Sequence, residues 1–356
     1  MTVAAFMDLA LYDSECGYYA RAAQRSGRAG DFFTSVDVGP IFGELLEVQV
    51  AEMAGILGAP ASAATFDLVE AGAGNGRLSA DILAAMRQRD PGLLDAVNVH
   101  LIDASATARA QQNAVLGPLA SRLVSSRASL PDSFEGVLVA NELLDAMPVH
   151  HVVQRASGLQ ELYVDADGGG HLRLTEGALS TPELSAYLDR LDVRLEPGWR
   201  VEIGLSAVNW IGNAAKRLRR GFLILIDYGH EARDLYSVTH SAGTLTTFAG
   251  HRSAGPESLA PAWLANPGEQ DITAHVDFTS VRAAAESAGL TTIAFLDQTY
   301  FLLGLLQSIR NPQSAIRNLH ILVMPGGLGS THKVLILGKN VGMPALLGCS
   351  FKVRVT

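Results

Sequence analysis

Apolar positions follow three rhythms along this chain, and each rhythm predicts a different element. Between residues 65 and 150, short continuous apolar runs alternate with helically spaced segments. The runs are Phe66–Ala71, Val97–Ile102 and Gly136–Ala140, separated by a helix over Leu78–Arg89 and a turn at Asp90-Pro91-Gly92. Such alternation predicts a parallel sheet with crossover helices. Upstream, residues 1–64 read as a helical segment, with apolar periodicity over Phe42–Leu57 and a glycine-rich stretch, Gly27–Gly39, as a candidate lid. From 151 to 205 the period shortens to two, in His151-Val152-Val153 and Glu161-Leu162-Tyr163-Val164, around the turn-forming Asp167-Gly168-Gly169-Gly170. A small inserted lobe is expected there.

A helix over Ala207–Arg220 then leads into the buried run Gly221–Ile226, which ends in Asp227-Tyr228-Gly229. Residues 241–268 are rich in Gly, Pro and Ser and are too long for a plain connection, so they read as a binding loop. Helix 276–289, strand 291–296, helix 299–310 and strand Lys333–Gly338 complete the pattern. The expected division is 1–64, 65–150, 151–205, 206–340 with an insertion at 241–275, and a tail at 341–356. The fold class is α/β, with an open, mostly parallel seven-stranded Rossmann-like sheet and a smaller second lobe.

Composition narrows the function classes. At 356 residues, with 48% hydrophobic and 18% charged positions, the chain has material for a large core. A formal charge of −9 speaks against nucleic acid as a partner and favours a basic protein or peptide. The basic run Lys216-Arg217-Leu218-Arg219-Arg220 reads as a solvated helix end, where cations complement the dipole. Two cysteines, Cys16 and Cys349, lack any partner spacing, so neither a disulfide framework nor a zinc site is expected. No apolar run reaches the roughly 20 residues of a membrane span. The N-terminus has the look of neither a signal nor a transit peptide, and cytoplasmic residence of a bacterial-type form is the simplest expectation.

The chemistry starts at Glu70-Ala71-Gly72-Ala73-Gly74-Asn75-Gly76, directly after the first apolar run. Glycines at 72, 74 and 76 let backbone approach a ligand, and the helix that follows offers unpaired N–H groups. A dinucleotide fingerprint needs its last Gly or Ala one place further on, where this chain has Arg77. Glu70 followed by GxGxG is instead the spacing of S-adenosylmethionine (SAM) methyltransferases. Asp103 ends the second strand, where a carboxylate accepts from ribose hydroxyls or caps a helix starting near Ser105.

The third apolar run delivers Asn141, Glu142 and Asp145 to its carboxyl end. If a helical turn begins after Asn141, the two carboxylates share a face and can hold a cationic substrate; otherwise they are helix-terminal or solvated groups. His150, His151, His230, His251 and His275 have no HExxH or paired-Cys company, so they read as structural groups and no metal is expected. Asp227 is open between a turn and a site role.

Four blocks together resemble the MidA-like group of class I SAM-dependent methyltransferases. They are Gly30-Asp31-Phe32-Phe33-Thr34-Ser35 with Phe42-Gly43-Glu44-Leu45; Glu70–Gly76; Asn141-Glu142-Leu143-Leu144-Asp145-Ala146-Met147-Pro148; and Asp227-Tyr228-Gly229 with Gly243-Thr244-Leu245, His251 and Asp271-Ile272-Thr273-Ala274-His275-Val276-Asp277-Phe278. Ala73 and Asn75 stand where the family pattern has Pro and Arg, and Asp103 where it has Glu, which bears on the stiffness of the loop. That group includes a mitochondrial assembly factor for respiratory complex I that methylates an arginine of a complex I subunit. The resemblance implies SAM as cofactor, held by Glu70, Gly72, Gly74, Gly76, Asp103, Asn141, Gly30 and Thr34. It further implies Glu142, Asp145 and Asn141 as catalytic residues and a protein substrate, a complex I subunit being the first candidate. The alternatives left open are a catalytically silent SAM-binding assembly protein and an NAD-dependent oxidoreductase.

Overall fold

The continuous apolar runs become strands buried on both faces, which is why they carry no alternation. Val137–Ala140 and Phe222–Ile226 are at most 2% exposed. The structure, a computed structural model, describes residues 1–21, 34–59, 65–249, 252–254, 261–308, 321–323 and 331–351. In chain order its strands are β1 Phe66–Ala71, β2 Val97–Ile102, β3 Leu123–Arg127, β4 Phe134–Asn141, β5 His150–Arg155, β6 Gly158–Ala166, β7 Leu172–Gly177 and β8 Arg200–Ile203. They continue with β9 Leu218–His230, β10 Thr246–Ala249, β11 Arg252–Ala254, β12 Asp271–Thr273, β13 Val276–Asp277, β14 Thr291–Asp297 and β15 His332–Lys339.

Two compact units interleave along the chain. One comprises Phe33–Leu143, Gly212–Tyr228 and Ala285–Thr356. Its sheet runs β14-β15-β9-β4-β1-β2-β3, seven strands, the number expected. The pairs β9–β4, β4–β1, β1–β2 and β2–β3 are parallel, while β15 runs antiparallel between β14 and β9. The helix Ile41–Leu57 sends Phe42, Leu45 and Met53 into a core shared with Ile82 and Met86 of helix Arg77–Arg89 and Phe301 of helix Gln298–Leu306.

The other unit comprises Met1–Phe32, Leu144–Ile211 and Gly229–Ala284. Its four-stranded antiparallel sheet runs β7-β6-β5-β8. Adjacent Val152 and Val153 point to opposite faces, each into its own apolar cluster, as a period of two requires. Val153 meets Phe6 and Met7 of the N-terminal helix Val3–Tyr12, and Val152 meets Tyr187 and Ile203.

Several elements depart from the sequence pattern. The turn at 90–92 is a short helix, Pro91–Ala96, capped by Asp90, whose Oδ1 accepts from Leu93 N–H at 3.0 Å. Within the expected loop 241–268, β10 forms and pairs with β11 and β12. The helix expected over 207–220 ends at Arg217 and Leu218 opens β9. Its basic end is not merely solvated: Arg217 donates to the carbonyls of Leu130 and Pro131 at 3.0 and 2.9 Å, and Arg220 to that of Leu57 at 3.1 Å.

One row of the large sheet depends on two glycines. Asp67, Gly136 and Gly221 stand side by side on β1, β4 and β9. A Cβ on Gly136 would lie 2.0 Å from the Asp67 carbonyl oxygen, at a φ of +155°. A Cβ on Gly221 would lie 1.9 Å from the Gly136 oxygen. Backbone cannot yield there without breaking the ladder, so Gly136→Ala is expected to destabilise the protein by more than about 3 kcal/mol. Urea unfolding checks this, and a midpoint equal to that of the parent would contradict it.

Candidate active site

On β1 the apolar positions are buried, and Glu70 is buried with them at 5% exposure. Its Oε2 accepts from the Ser79 N–H at 3.1 Å and from the Ser79 hydroxyl. Ser79 lies in the first turn of helix Arg77–Arg89, whose N-cap is the side-chain-free Gly76. Glu70 therefore supplies from the sheet the acceptor that the cap lacks. Burial pushes its carboxyl up to about 7, the Ser79 donors pull it down, and the charges of Asp103 and Asp81 push it further up.

The glycine loop is pinned onto β2. Gly72 and Ala73 both donate to the Ile102 carbonyl, at 2.9 and 3.0 Å. At the apex Gly74 has φ +52° and donates to Asp103 Oδ2 at 2.7 Å. The Gly74 carbonyl accepts from Gln112 Nε2 at 2.8 Å, and Gln112 Oε1 accepts from Ser126 at 2.6 Å. A Cβ on Gly74 would meet nothing within 4 Å, whereas Leu143 and Leu101 crowd those of Gly72 and Gly76. The apex thus faces open space.

Asp103 accepts from a backbone N–H with each of its two oxygens, Gly74 on one side and Ser105 on the other, and the cap of the next helix falls to Ser105. Oδ1 accepts from Ser105 N–H at 2.8 Å, while Ser105 itself caps helix Ala106–Leu116 through Ala108 N–H at 3.2 Å. Gln112 was missed. Its signal was present, because Ala108, Gln112 and Leu116 lie four apart on the buried face of that helix.

At the carboxyl end of β4 the chain does not enter a helix. Glu142 takes φ +50°, its N–H donating to the Ile226 carbonyl at 2.8 Å, and the following N–H of Leu143 donates to Asp227 Oδ2 at 3.1 Å. Glu142 and Asp145 therefore share no helical face, and the expectation of a common clamp on that basis is corrected. Asp145 belongs to the unit that holds β5–β8, where its carbonyl accepts from Ala274 N–H at 2.9 Å. Asp227 braces the turn.

Glu142 stays with the glycine loop's unit, its side chain 10% exposed. Oε1 accepts from Ser35 N–H at 3.2 Å and from Asn141 Nδ2 at 3.1 Å, with His332 Nε2 at 3.6 Å. Oε2 lies 3.4 Å from the Tyr228 hydroxyl. Asn141 Oδ1 is buried with no hydrogen-bond partner among the described residues, an acceptor that suits a cationic donor of a ligand. Thr34 is buried and spends both its N–H and its hydroxyl on Asp37 Oδ2, each at 2.9 Å. Asp37 in turn pairs with Arg77 at the start of the loop's helix. Gly30 and His251 lie outside the described residues. His150 pairs with buried Glu161 at 2.8 Å, and His151 lies 3.6 Å from Glu202. His230 and His275 come together with His240, which the sequence reading did not single out.

A family model described as S-adenosyl-L-methionine-dependent methyltransferase matches residues 45–296. The chain belongs to this MidA-like methyltransferase family. The methyltransferase is 31% identical over 329 residues to "Protein arginine methyltransferase NDUFAF7, mitochondrial" of Mus musculus, covering 85% of this chain and 70% of the relative. It is 28% identical to the protein of that name in Xenopus tropicalis, over 99% of this chain and 81% of the relative. A Burkholderia thailandensis protein described as a methyl transferase, crystallised with S-adenosyl-homocysteine, superposes with a TM-score of 0.87 at 30% identity, covering 100% of this chain and 92% of that one. SAM is thus the cofactor, and the open face of Gly74 and the Asn141 Oδ1 acceptor, without a hydrogen-bond partner among the described residues, are features that fit it. The expectation of cytoplasmic residence is corrected: the relatives in mouse, fly and human are all named mitochondrial. Among the described residues no helix is long and apolar enough to cross a membrane.

The buried Glu70 carboxyl makes stability depend on pH. Raised from 4.5 to about 7, it binds its proton more tightly folded than unfolded. Its stabilising contribution is present below about 4.5 and is lost as pH rises through 7. Glu70→Gln, which keeps the shape and cannot ionise, should therefore flatten the fall in unfolding free energy between those pH values, by up to roughly 3 kcal/mol, and with it the fall in melting temperature. Calorimetric scans across the range check this, and an unchanged slope would contradict it.

Proposed function

We propose that this methyltransferase acts on a side-chain nitrogen of a protein, with arginine as the target residue. The observation that carries this reading is the Glu142 carboxylate, fixed at a left-handed backbone position by Ser35 and Asn141 on one oxygen. Among the described residues the other oxygen meets the longer contact to Tyr228, leaving acceptor capacity for a guanidinium fork. When bound, SAM supplies a methyl already activated on sulfonium. The chain then has to orient the nucleophile, and pairing Glu142 with one side of the guanidinium helps localise a lone pair on the attacking nitrogen. Glu142 is also the group that takes the proton the attacking nitrogen gives up.

The relatives' names, protein arginine methyltransferase, support the target residue. The acidic balance of the chain, −9, supports a basic polypeptide as partner. By the family resemblance a respiratory complex I subunit is the first candidate substrate, and a mitochondrial setting accords with the relatives.

Incubating the chain with labelled SAM and a lysate lacking this protein should label one or a few polypeptides, and acid hydrolysis should recover the label as methylarginine. Label confined to small metabolites or nucleic acid would overturn the protein-substrate reading. Glu142→Gln should cut turnover about 100-fold or more while S-adenosyl-homocysteine affinity changes less than about 3-fold, because the lost interaction belongs to the acceptor substrate. Normal methylation by Glu142→Gln would remove the carboxylate from this role.

A further inference from the structure

His230 ends β9, His240 closes the 3₁₀ turn Val238–His240, and His275 directly precedes β13. All three belong to the unit built on β5–β8, and none is part of the glycine loop or the Asn-Glu turn. Their rings converge. Centroids are 4.9 Å apart for His230 and His240, 5.3 Å for His230 and His275, and 5.7 Å for His240 and His275. One ring nitrogen from each lies within 4.8 Å of those of the other two, and each ring is half-buried.

Three imidazoles this close cannot all carry a proton, because like charges in a half-buried site repel. Held neutral, they present lone pairs to one point. The tautomers are compatible with that. His240 Nδ1 lies 3.1 Å from the Asp234 carbonyl, which can only accept, so Nδ1 carries the hydrogen and Nε2 is left as the donor of a lone pair. His275 Nδ1 is buried with no hydrogen-bond partner among the described residues, while its backbone N–H is anchored on the Thr244 hydroxyl at 3.0 Å. A buried imidazole nitrogen without a partner is costly, and coordination is the way such a group is satisfied at a histidine cluster.

We propose that His230, His240 and His275 form a binding site for one divalent transition-metal cation of the zinc class. Three neutral imidazoles with a fourth position open to solvent or a ligand suit Zn²⁺, and they disfavour Mg²⁺ or Ca²⁺, which take oxygen ligands. The nitrogens need only a modest closing motion to reach a tetrahedral ligand set. The cation would clasp three segments far apart in sequence: the end of β9, the 238–240 turn and the approach to β13. Such a site would replace the sequence-level expectation that His230 and His275 are structural groups and that no metal is bound.

The test uses the full chain without an affinity tag, stripped with chelator and dialysed. Zn²⁺ titrated calorimetrically should bind at one equivalent per chain, and Co²⁺ in its place should give the intense visible bands of a tetrahedral nitrogen-rich site. His240→Ala, on a half-exposed turn, and His230→Ala should each weaken Zn²⁺ binding about 100-fold or more and abolish the Co²⁺ bands. Circular dichroism shows which variants keep the fold. If the buried end of β9 does not tolerate His230→Ala, His240→Ala decides alone. Absence of saturable Zn²⁺ binding, or binding unchanged in folded His240→Ala, would overturn the proposal, as would saturation by Mg²⁺ with equal affinity.

Discussion

The glycine loop depends on one carboxylate that holds two backbone N–H groups at once. Asp103 grips Gly74 at the apex of the loop with one oxygen and Ser105 at the head of the next helix with the other. The loop therefore has its position set by the end of β2, not by its own sequence. Gln112 repeats the device from the opposite side, holding the Gly74 carbonyl and tied in turn to Ser126 on β3. Three consecutive parallel strands thus meet at one glycine, and the apex can face open space and still keep a defined geometry. Ala73 and Asn75 stand where a stiffer loop would have Pro and Arg, so this stiffness comes from neighbours.

Electrostatics at the loop follow from the same crowding. Glu70 is desolvated, and the charges of Asp103 and Asp81 add to what pushes its carboxyl upward. Asp103 is itself pushed up by burial and held down by the N–H groups of Ser105 and Gly74. Burial is the first cause at both carboxylates, and it leaves Asn141 Oδ1 as a buried acceptor with no hydrogen-bond partner among the described residues.

What could be read from the sequence was local or simply periodic. Val137–Ala140 and Phe222–Ile226 declared themselves as doubly buried strands because nothing polar interrupts them. Glycines at 72, 74 and 76 declared a loop because three left-handed positions in five residues demand them. What failed was set by partners distant in sequence. Glu142-Leu143-Leu144 has good helix formers, yet the Ile226 carbonyl and the Asp227 carboxylate capture the two N–H groups that a helix would have oriented otherwise. β10, β11 and β12 are three or four residues long, too short for a period of two to stand out among Gly, Pro and Ser. His230, His240 and His275 follow no motif spacing, and only the fold brings their rings together.

The claim on which the rest turns is that Asp103 sets the glycine loop through Gly74, and that this loop is where the cofactor is proposed to bind. Calorimetric titration of S-adenosyl-homocysteine into the parent protein and into Asp103→Ala, with circular dichroism confirming that both are folded, tests it directly. The account predicts a loss of about 1–3 kcal/mol in binding, the value of a hydrogen bond to a charged group. An unchanged dissociation constant in the folded variant would contradict it.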